Sequence, residues 1–315
     1  MGTSMLALFN RNLILAIAVV TVALYSCHLH AEQPDAPAPS AKVEIGVIEA
    51  GKYGHGGQPL ILIPGLAGGA WSWAGMIPRL SAAHEVYALT LPGFSGRAAA
   101  PAPLIDTVVA DIAKLIRDNR LDRPVLVGHS LGAFIAYRVA IEHPSLVGGV
   151  VALDGYPVFS PMADADAPDR RVVADRLAKE LARGKTAQEF YAAIGTFLAA
   201  RMNDPERASA MTGLAALSDP ESVAQYIMEM LPADLRPELG KIQVPILALV
   251  AVDSYKKGMT DTEMRAFYSR VFANAPQASI VLVHGARHFI EEDQPEVIGA
   301  AIESFLAGLP GKQPG

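Results

Sequence analysis

Short apolar runs recur along this chain from residue 43 onward, and most of them are followed by a stretch with helical spacing. The runs PLILIPG (59–65), EVYALTLPG (85–93), RPVLVGHS (123–130), LVGGVVALD (146–154), VPILALVAVD (244–253) and ASIVLVHG (278–285) are too apolar to face water on either side. A strand of that kind belongs to a parallel sheet covered on both faces. IDTVVADIAKLIRDN (105–119), LGAFIAYRVAIEHP (131–144) and QPEVIGAAIESFLAGL (294–309) carry apolar residues at helical intervals and supply the cover. VEIGVIEA (43–50) alternates like an edge strand, and WSWAGMIPRL (71–80) reads as a short helix. The pattern predicts an α/β fold, a mostly parallel twisted sheet flanked by helices.

Between residues 157 and 240 no convincing strand occurs. Helical stretches rich in Ala, Met and Leu are punctuated by Pro161, Pro168, Gly184, Pro205, Pro220 and Pro232. That predicts an all-helical cap inserted into a core made of 43–156 and 241–310. Met162, Met202, Met211, Met228 and Met230, with Phe159, Phe190 and Phe197, make the insert greasy. Such side chains either fill the cap's own interior or line space for an apolar group.

Residues 13–25, LILAIAVVTVALY, form an unbroken apolar run behind Arg11. Thirteen residues are short for ~30 Å of hydrocarbon and match the core of an export signal. The expectation is an export signal over 1–31 and a Pro/Ala-rich linker over 32–42. Three processing readings stand: cleavage after Ala31, lipidation at Cys27 within a lipobox-like Leu24-Tyr25-Ser26-Cys27, or an uncleaved anchor. All three place the body outside the cytoplasm, periplasmic or secreted, with the membrane reached only through this segment. Cys27 is the chain's one cysteine, which excludes a disulfide scaffold and a cysteine-built zinc site. A formal charge of −6 and a pI near 5.8 argue against a nucleic-acid partner. Apolar content of 51% with 18% charged residues excludes a disordered chain.

The chemistry concentrates at Gly128-His129-Ser130-Leu131-Gly132, a G-x-S-x-G that follows a strand and opens a helix. A strand reversing sharply into a helix brings backbone close to backbone, so a Cβ on either glycine would collide. The turn lifts the Ser130 hydroxyl off the sheet. The first N–H of the helix, at Leu131, faces charge developing on a substrate oxygen. A serine hydroxyl needs a base within hydrogen-bond reach. His288, in GARHF (285–289) after the last strand, is the best candidate among the eight histidines.

With these motifs the chain resembles the α/β-hydrolase fold family, in its serine-nucleophile version with a helical cap, over residues 43–310. Gly285-Ala286-Arg287-His288 is similar to the family's Gly-x-x-His. PGLAGGAWSW (64–73) looks like its oxyanion loop; the usual His is Pro64 here, the Gly is kept as Gly65, and the resemblance maps the second N–H donor to Leu66. LPGFSGR (91–97) resembles the following loop, with Thr90 or its neighbours in place of the usual Asp. The resemblance offers two orienting acids. Asp154, at the tip of 146–154, keeps the register some members use; Asp253, in Ala251-Val252-Asp253-Ser254, falls one residue before the more usual one. Trp71 and Tyr156 are candidates for lining the substrate site. The implied function is hydrolysis of a carboxylic ester or similar acyl bond through an acyl-enzyme, with a small, apolar acyl substrate and no cofactor or metal. Lactone, amide or thioester cleavage, and a catalytically silent binding protein on the same fold, are the alternatives.

Overall fold

The computed structural model describes residues 37–254 and 258–309, so the segment read as an export signal lies outside the described residues. Eight strands form one sheet: β1 Ala41–Ile45, β2 Ile48–Tyr53, β3 Leu60–Ile63, β4 Val86–Thr90, β5 Val125–His129, β6 Gly149–Leu153, β7 Ile246–Ala251 and β8 Ala278–Val283. Their spatial order is β1-β2-β4-β3-β5-β6-β7-β8. β1 and β2 are antiparallel, as are β2 and β4, and every pairing from β4 through β3 to β8 is parallel.

The helices are α1 Ile77–Ser81, α2 Leu104–Asp118, α3 Leu131–Glu142, α4 Ala167–Leu181, α5 Ala187–Ala199, α6 Pro205–Ala215, α7 Pro220–Met230, α8 Asp261–Val271, α9 Ile290–Asp293 and α10 Pro295–Ala307. The central strands are apolar throughout because each face meets a separate core. Ile61, Ile63, Leu126, Val150 and Ala248 point into the core shared with α2, α3 and α8. Their neighbours Leu60, Leu62, Val125, Val151 and Leu249 point into the core shared with α1 and α10. The period of two along each strand assigns residues to the two cores.

Two expectations are corrected here. The stretch 43–50 is not a single edge strand but parts of a hairpin, with Ile45 opposite Ile48. Gly46 takes a positive φ of 54° at the turn, where a Cβ would fall 2.2 Å from the Asp111 carboxylate. Asp111 Oδ2 accepts from the Val47 N–H at 2.7 Å, and Arg97 Nε donates to the Val47 carbonyl at 2.7 Å. The turn is thus fixed by α2 and the loop after β4, which are distant in sequence. The stretch 71–80 is also not one helix. It divides into a 3-10 turn at Ala70–Trp73 and α1, with Pro78 in the first turn of α1, where a missing N–H costs nothing.

Helices α4 to α7 lie between β6 and β7. Capping side chains start each of them: Asp166, Thr186, Asp204 and Asp219 all accept from backbone N–H groups one turn in. The insert is tied to the sheet layer by polar contacts. Glu229 of α7 accepts from Leu104 N–H and Ile105 N–H at 2.9 and 2.8 Å, capping α2 where Pro103 offers no side chain to do so. Arg207 of α6 makes a two-pronged pair with Glu292 of α9, at 2.7 and 3.0 Å.

Candidate active site

Ser130 follows β5 and precedes α3 with φ 52° and ψ −113°, a backbone conformation that L-residues rarely adopt. The two flanking glycines make the turn fit. A Cβ on Gly132 would lie 2.0 Å from the Ile63 carbonyl oxygen, and one on Gly128 would lie 2.3 Å from the Gly132 backbone. The Ser130 N–H bonds the Leu153 carbonyl at 3.0 Å, and its own carbonyl accepts from Ala133 and Phe134. Leu131 is the first residue of α3, so its N–H has no acceptor within the helix. Gly65 lies beside the turn: a Cβ there would be 3.5 Å from Ser130 Cβ. Leu66, the next residue, shares a cavity wall with Ser130. Thr90 Oγ1 accepts from Ala70 N–H at 3.2 Å and so supports the start of this loop's 3-10 turn.

The structure brings Ser130, His288 and Asp154 into one hydrogen-bonded chain. His288 Nε2 is 2.9 Å from Ser130 Oγ, and its Nδ1 is 2.7 Å from Asp154 Oδ2. Asp154 and His288 are buried at 2% and 5% exposure. The other Asp154 oxygen accepts from Tyr156 Oη at 2.5 Å and from the Ala251 N–H at 3.1 Å. With three partners, the carboxylate is held in one orientation. Asp253 is not part of this chain. It is exposed in the turn after β7, where its backbone N–H bonds the Ala286 carbonyl.

Ser130 and His288 open onto a cavity of about 420 Å³. Phe134, Val158, Ile227 and Leu231 form its buried wall; Leu177 and Leu181 of α4 and Ala193 and Phe197 of α5 form the side toward solvent. Tyr156 lines it, and its ring stacks on Tyr268 with centroids 4.6 Å apart. Burial, with the Asp154 charge beside it, pushes the Tyr156 phenol well above its ordinary range, so it donates to Asp154 at all working pH values. Trp71 does not line the cavity, contrary to expectation. It packs half-buried against the core, and its Nε1 donates to Ser95 Oγ at 2.8 Å, which turns the indole toward the loop after β4.

Behind His288 lies a buried pair that sequence reasoning missed. His129 Nε2 is 2.8 Å from the His288 carbonyl oxygen; only a donor suits that acceptor, so the proton is on Nε2 and Nδ1 is left as an acceptor. Glu291 Oε1 lies 3.1 Å from this Nδ1, with both side chains almost fully buried. Burial holds the His129 imidazole well below its ordinary range, with His288 adding to the effect. Burial likewise pushes the Glu291 carboxyl well above its own, helped by the charges of Glu292, Asp154 and Asp293. Burial therefore favours the uncharged form of each group. The two lie in close contact, although His129 Nδ1 and Glu291 Oε2 have no hydrogen-bond partner among the described residues. It is the His129 Nε2 bond that holds the backbone carrying His288. No single-sequence signal marks Glu291, because Glu291-Glu292-Asp293 reads as a solvated acidic turn.

This pair has a pH signature. A group whose folded value is raised, such as Glu291, contributes stability that is full below its ordinary value of 4.5 and is lost as pH rises through the folded value. His129 acts with the opposite sign, its contribution complete above its ordinary value of 6.5 and lost on acidification. Above pH 4.5 the Glu291 effect lowers stability as pH rises, at up to about 1.4 kcal/mol per pH unit, until the folded value is reached. Glu291→Gln keeps a donor and removes the titration. Urea unfolding at a series of pH values from 4.5 upward should show the stability of the parent falling relative to that of the variant as pH rises; a difference that stays constant with pH would contradict a raised Glu291 carboxyl.

The second missed residue is Arg201, just past α5, which lines the cavity together with Phe197. In the sequence it reads as an ordinary basic residue near a helix end. The segment it opens is bound to the loop that carries His288. Arg201 and Met202 carbonyls accept from Phe289 N–H and from Arg287 Nη1 at 3.3 and 3.1 Å. Asn203 bonds Asp293 and Gly285 at 2.8 and 2.7 Å.

A serine, an imidazole and a carboxylate in series at a cavity, on a sheet of this order with a helical insert after β6, define a class of protein. Residues 60–301 match the model of the "Alpha/beta hydrolase family". The chain belongs to that family and is an enzyme of the α/β-hydrolase type. It is 31% identical to the 2-(acetamidomethylene)succinate hydrolase of Mesorhizobium japonicum over 207 residues, which span 62% of this chain and 68% of that protein. Among solved structures, a thermophilic esterase from Thermogutta terrifontis matches with a TM-score of 0.70 at 22% identity, over 85% of this chain and 98% of that one. A bacterial membrane phospholipase A matches with a TM-score of 0.67 at 20% identity, over 96% of this chain and 99% of that one.

Proposed function

We propose that this chain is an exported serine hydrolase that cleaves carboxylic esters of apolar acyl groups. The observation that carries the reading is the chain Ser130–His288–Asp154, at 2.9 and 2.7 Å, opening onto an apolar cavity. The hydrolase name of the Mesorhizobium relative agrees with the reaction class. In this reading Ser130 Oγ attacks the ester carbonyl carbon while His288 Nε2 takes its proton. Asp154 holds the imidazole tautomer and stabilises the imidazolium. The tetrahedral oxyanion sits against the N–H groups of Leu131 and Leu66. His288 then protonates the departing alkoxide, leaving an acyl-Ser130. Water, deprotonated by His288, attacks this ester, and the acid is released with the proton returned to Ser130.

The test is active-site labelling. A fluorophosphonate probe should modify the full-length protein once and leave Ser130→Ala unmodified, and Ser130→Ala should lose at least ~10³-fold in kcat on p-nitrophenyl butyrate. Equal labelling of parent and variant, or turnover that survives in the variant, would overturn the reading. The export expectation rests on residues 1–31 and has its own test. The mass of the protein recovered from cells should show loss of the segment through Ala31 or a lipidated Cys27; a full-length unmodified chain in the cytosol would contradict it.

A further inference from the structure

We propose that Arg201 anchors an anionic group on the substrate, so that the preferred ester carries a carboxylate or phosphate near the scissile bond. This deepens the hydrolase reading and rests on it. The inner cavity is apolar and offers an acyl chain no charge. Near its solvent side the guanidinium of Arg201 lies with its carbon 4.0 Å above the Phe197 ring centroid. Its Nη1 donates to the Phe197 carbonyl at 3.2 Å. Its Nε is buried and has no hydrogen-bond partner among the described residues. Among those residues no carboxylate pairs with it. Glu180, the other charged side chain at the mouth, is exposed and lies 3.9 Å from Arg176 instead.

The contrast with comparable arginines carries the inference. Arg170 is buried, and its Nε donates to the Pro232 carbonyl at 3.2 Å. Arg207 is partly buried and holds both oxygens of Glu292. Nε itself is covered by protein and out of a ligand's reach, but Nη2 bonds no described residue and is not buried, and the Nη1 bond to the Phe197 carbonyl holds the guanidinium against the Phe197 ring. Nη1 and Nη2 together present N–H groups as a fork for two oxygens of one anion. The Arg201 carbonyl accepts from Phe289, next to His288, so the fork and the base are held on one backbone contact. An anion gripped there lies in the same cavity as Ser130. Carboxylate and phosphate share the chemistry that the fork recognises.

The experiment measures selectivity. For the full-length parent, Arg201→Met and Arg201→Lys, kcat/KM is measured on p-nitrophenyl butyrate and on the mono-p-nitrophenyl ester of glutarate, which adds one carboxylate. The ratio of anionic to neutral ester should fall about 30-fold in Arg201→Met, chiefly through KM, and recover in part in Arg201→Lys, which keeps charge without the fork. A ratio unchanged in Arg201→Met overturns the proposal, and so does an equal loss on both esters, which marks a structural role. A second arm needs no turnover. In the Ser130→Ala background, calorimetry compares monododecyl succinate and dodecyl phosphate with neutral dodecyl acetate. Tighter binding of either anion, lost on adding Arg201→Met, supports the proposal and says which anion the site prefers; no preference for either anion overturns it. If the parent turns over neither ester while the anion preference stands, the hydrolase reading has failed and the anion site has not.

Discussion

Asp154→Asn is expected to lower kcat on p-nitrophenyl butyrate by about 10⁴, whereas Asp253→Asn should keep it within about tenfold of the parent. The difference follows from what each carboxylate touches. Asp154 Oδ2 accepts from His288 Nδ1 at 2.7 Å, and Oδ1 is already committed to Tyr156 Oη and the Ala251 N–H. In the asparagine variant the amide oxygen remains with those two donors, so the amide NH₂ must face His288. Two donors cannot share a hydrogen, so the imidazole moves its proton to Nε2 and no longer accepts from Ser130. The variant also removes the negative charge that stabilises the imidazolium. Asp253 is exposed and reaches its neighbours through backbone. Steady-state kinetics on both variants decide the matter: a small effect at Asp154, or an equally large one at Asp253, would undo the assignment of the acid.

The largest effect on stability is expected at Gly132. An alanine Cβ would sit 2.0 Å from the Ile63 carbonyl oxygen, 2.6 Å from the Ile63 carbonyl carbon and 2.8 Å from the Pro64 carbonyl oxygen. All three are backbone atoms of β3 and the loop that follows, so no side-chain rotation relieves the contact. α3 would have to leave the sheet, taking Ser130 and the Leu131 N–H with it. Gly132→Ala should therefore destabilise by about 3 kcal/mol or more, at the upper end of what overpacking costs. Gly75→Ala is the control: its Cβ would meet nothing within 4 Å, and its effect should stay within about 0.5 kcal/mol. Urea midpoints measure both. A Gly132→Ala protein as stable as the parent would mean that the turn relaxes more freely than its contacts allow.

The sequence made some of this legible and hid the rest for physical reasons. The passage from β5 through Ser130 into α3 is readable in part because one steric limit acts between residues close in the chain, a Cβ on Gly128 meeting the backbone of Gly132 and Ala133, whereas the contact that bars a Cβ on Gly132 is with Ile63 and Pro64, distant in sequence. The parallel strands are readable because burial on both faces leaves only apolar residues. The β1–β2 hairpin is not, because its turn is held by Asp111 and Arg97, 64 and 50 residues away. The choice between Asp154 and Asp253 is also beyond local reading. β6 and β7 are adjacent parallel strands whose ends lie side by side, so either acid could approach one imidazole. Packing makes the choice, and Ala251, which opens the turn holding Asp253, donates its N–H to Asp154. The Glu291–His129 pair and Arg201 depend on burial that only the assembled fold supplies.

The binding of residues 201–207 to the loop around His288 restricts how molecules can pass in and out. Swinging the helical insert outward on that side would stretch the contacts of Met202, Asn203 and Arg207 with Arg287, Asp293 and Glu292. The same movement would drag the imidazole away from the serine, so a doorway there would switch the enzyme off each time it opened. The part of the rim formed by Phe159 and Pro161, which precede α4, and by Leu177 and Leu181 carries none of those contacts. Substitutions at that rim should alter how fast ligands come and go while bond cleavage proceeds at its own pace, which lets the two processes be tuned apart.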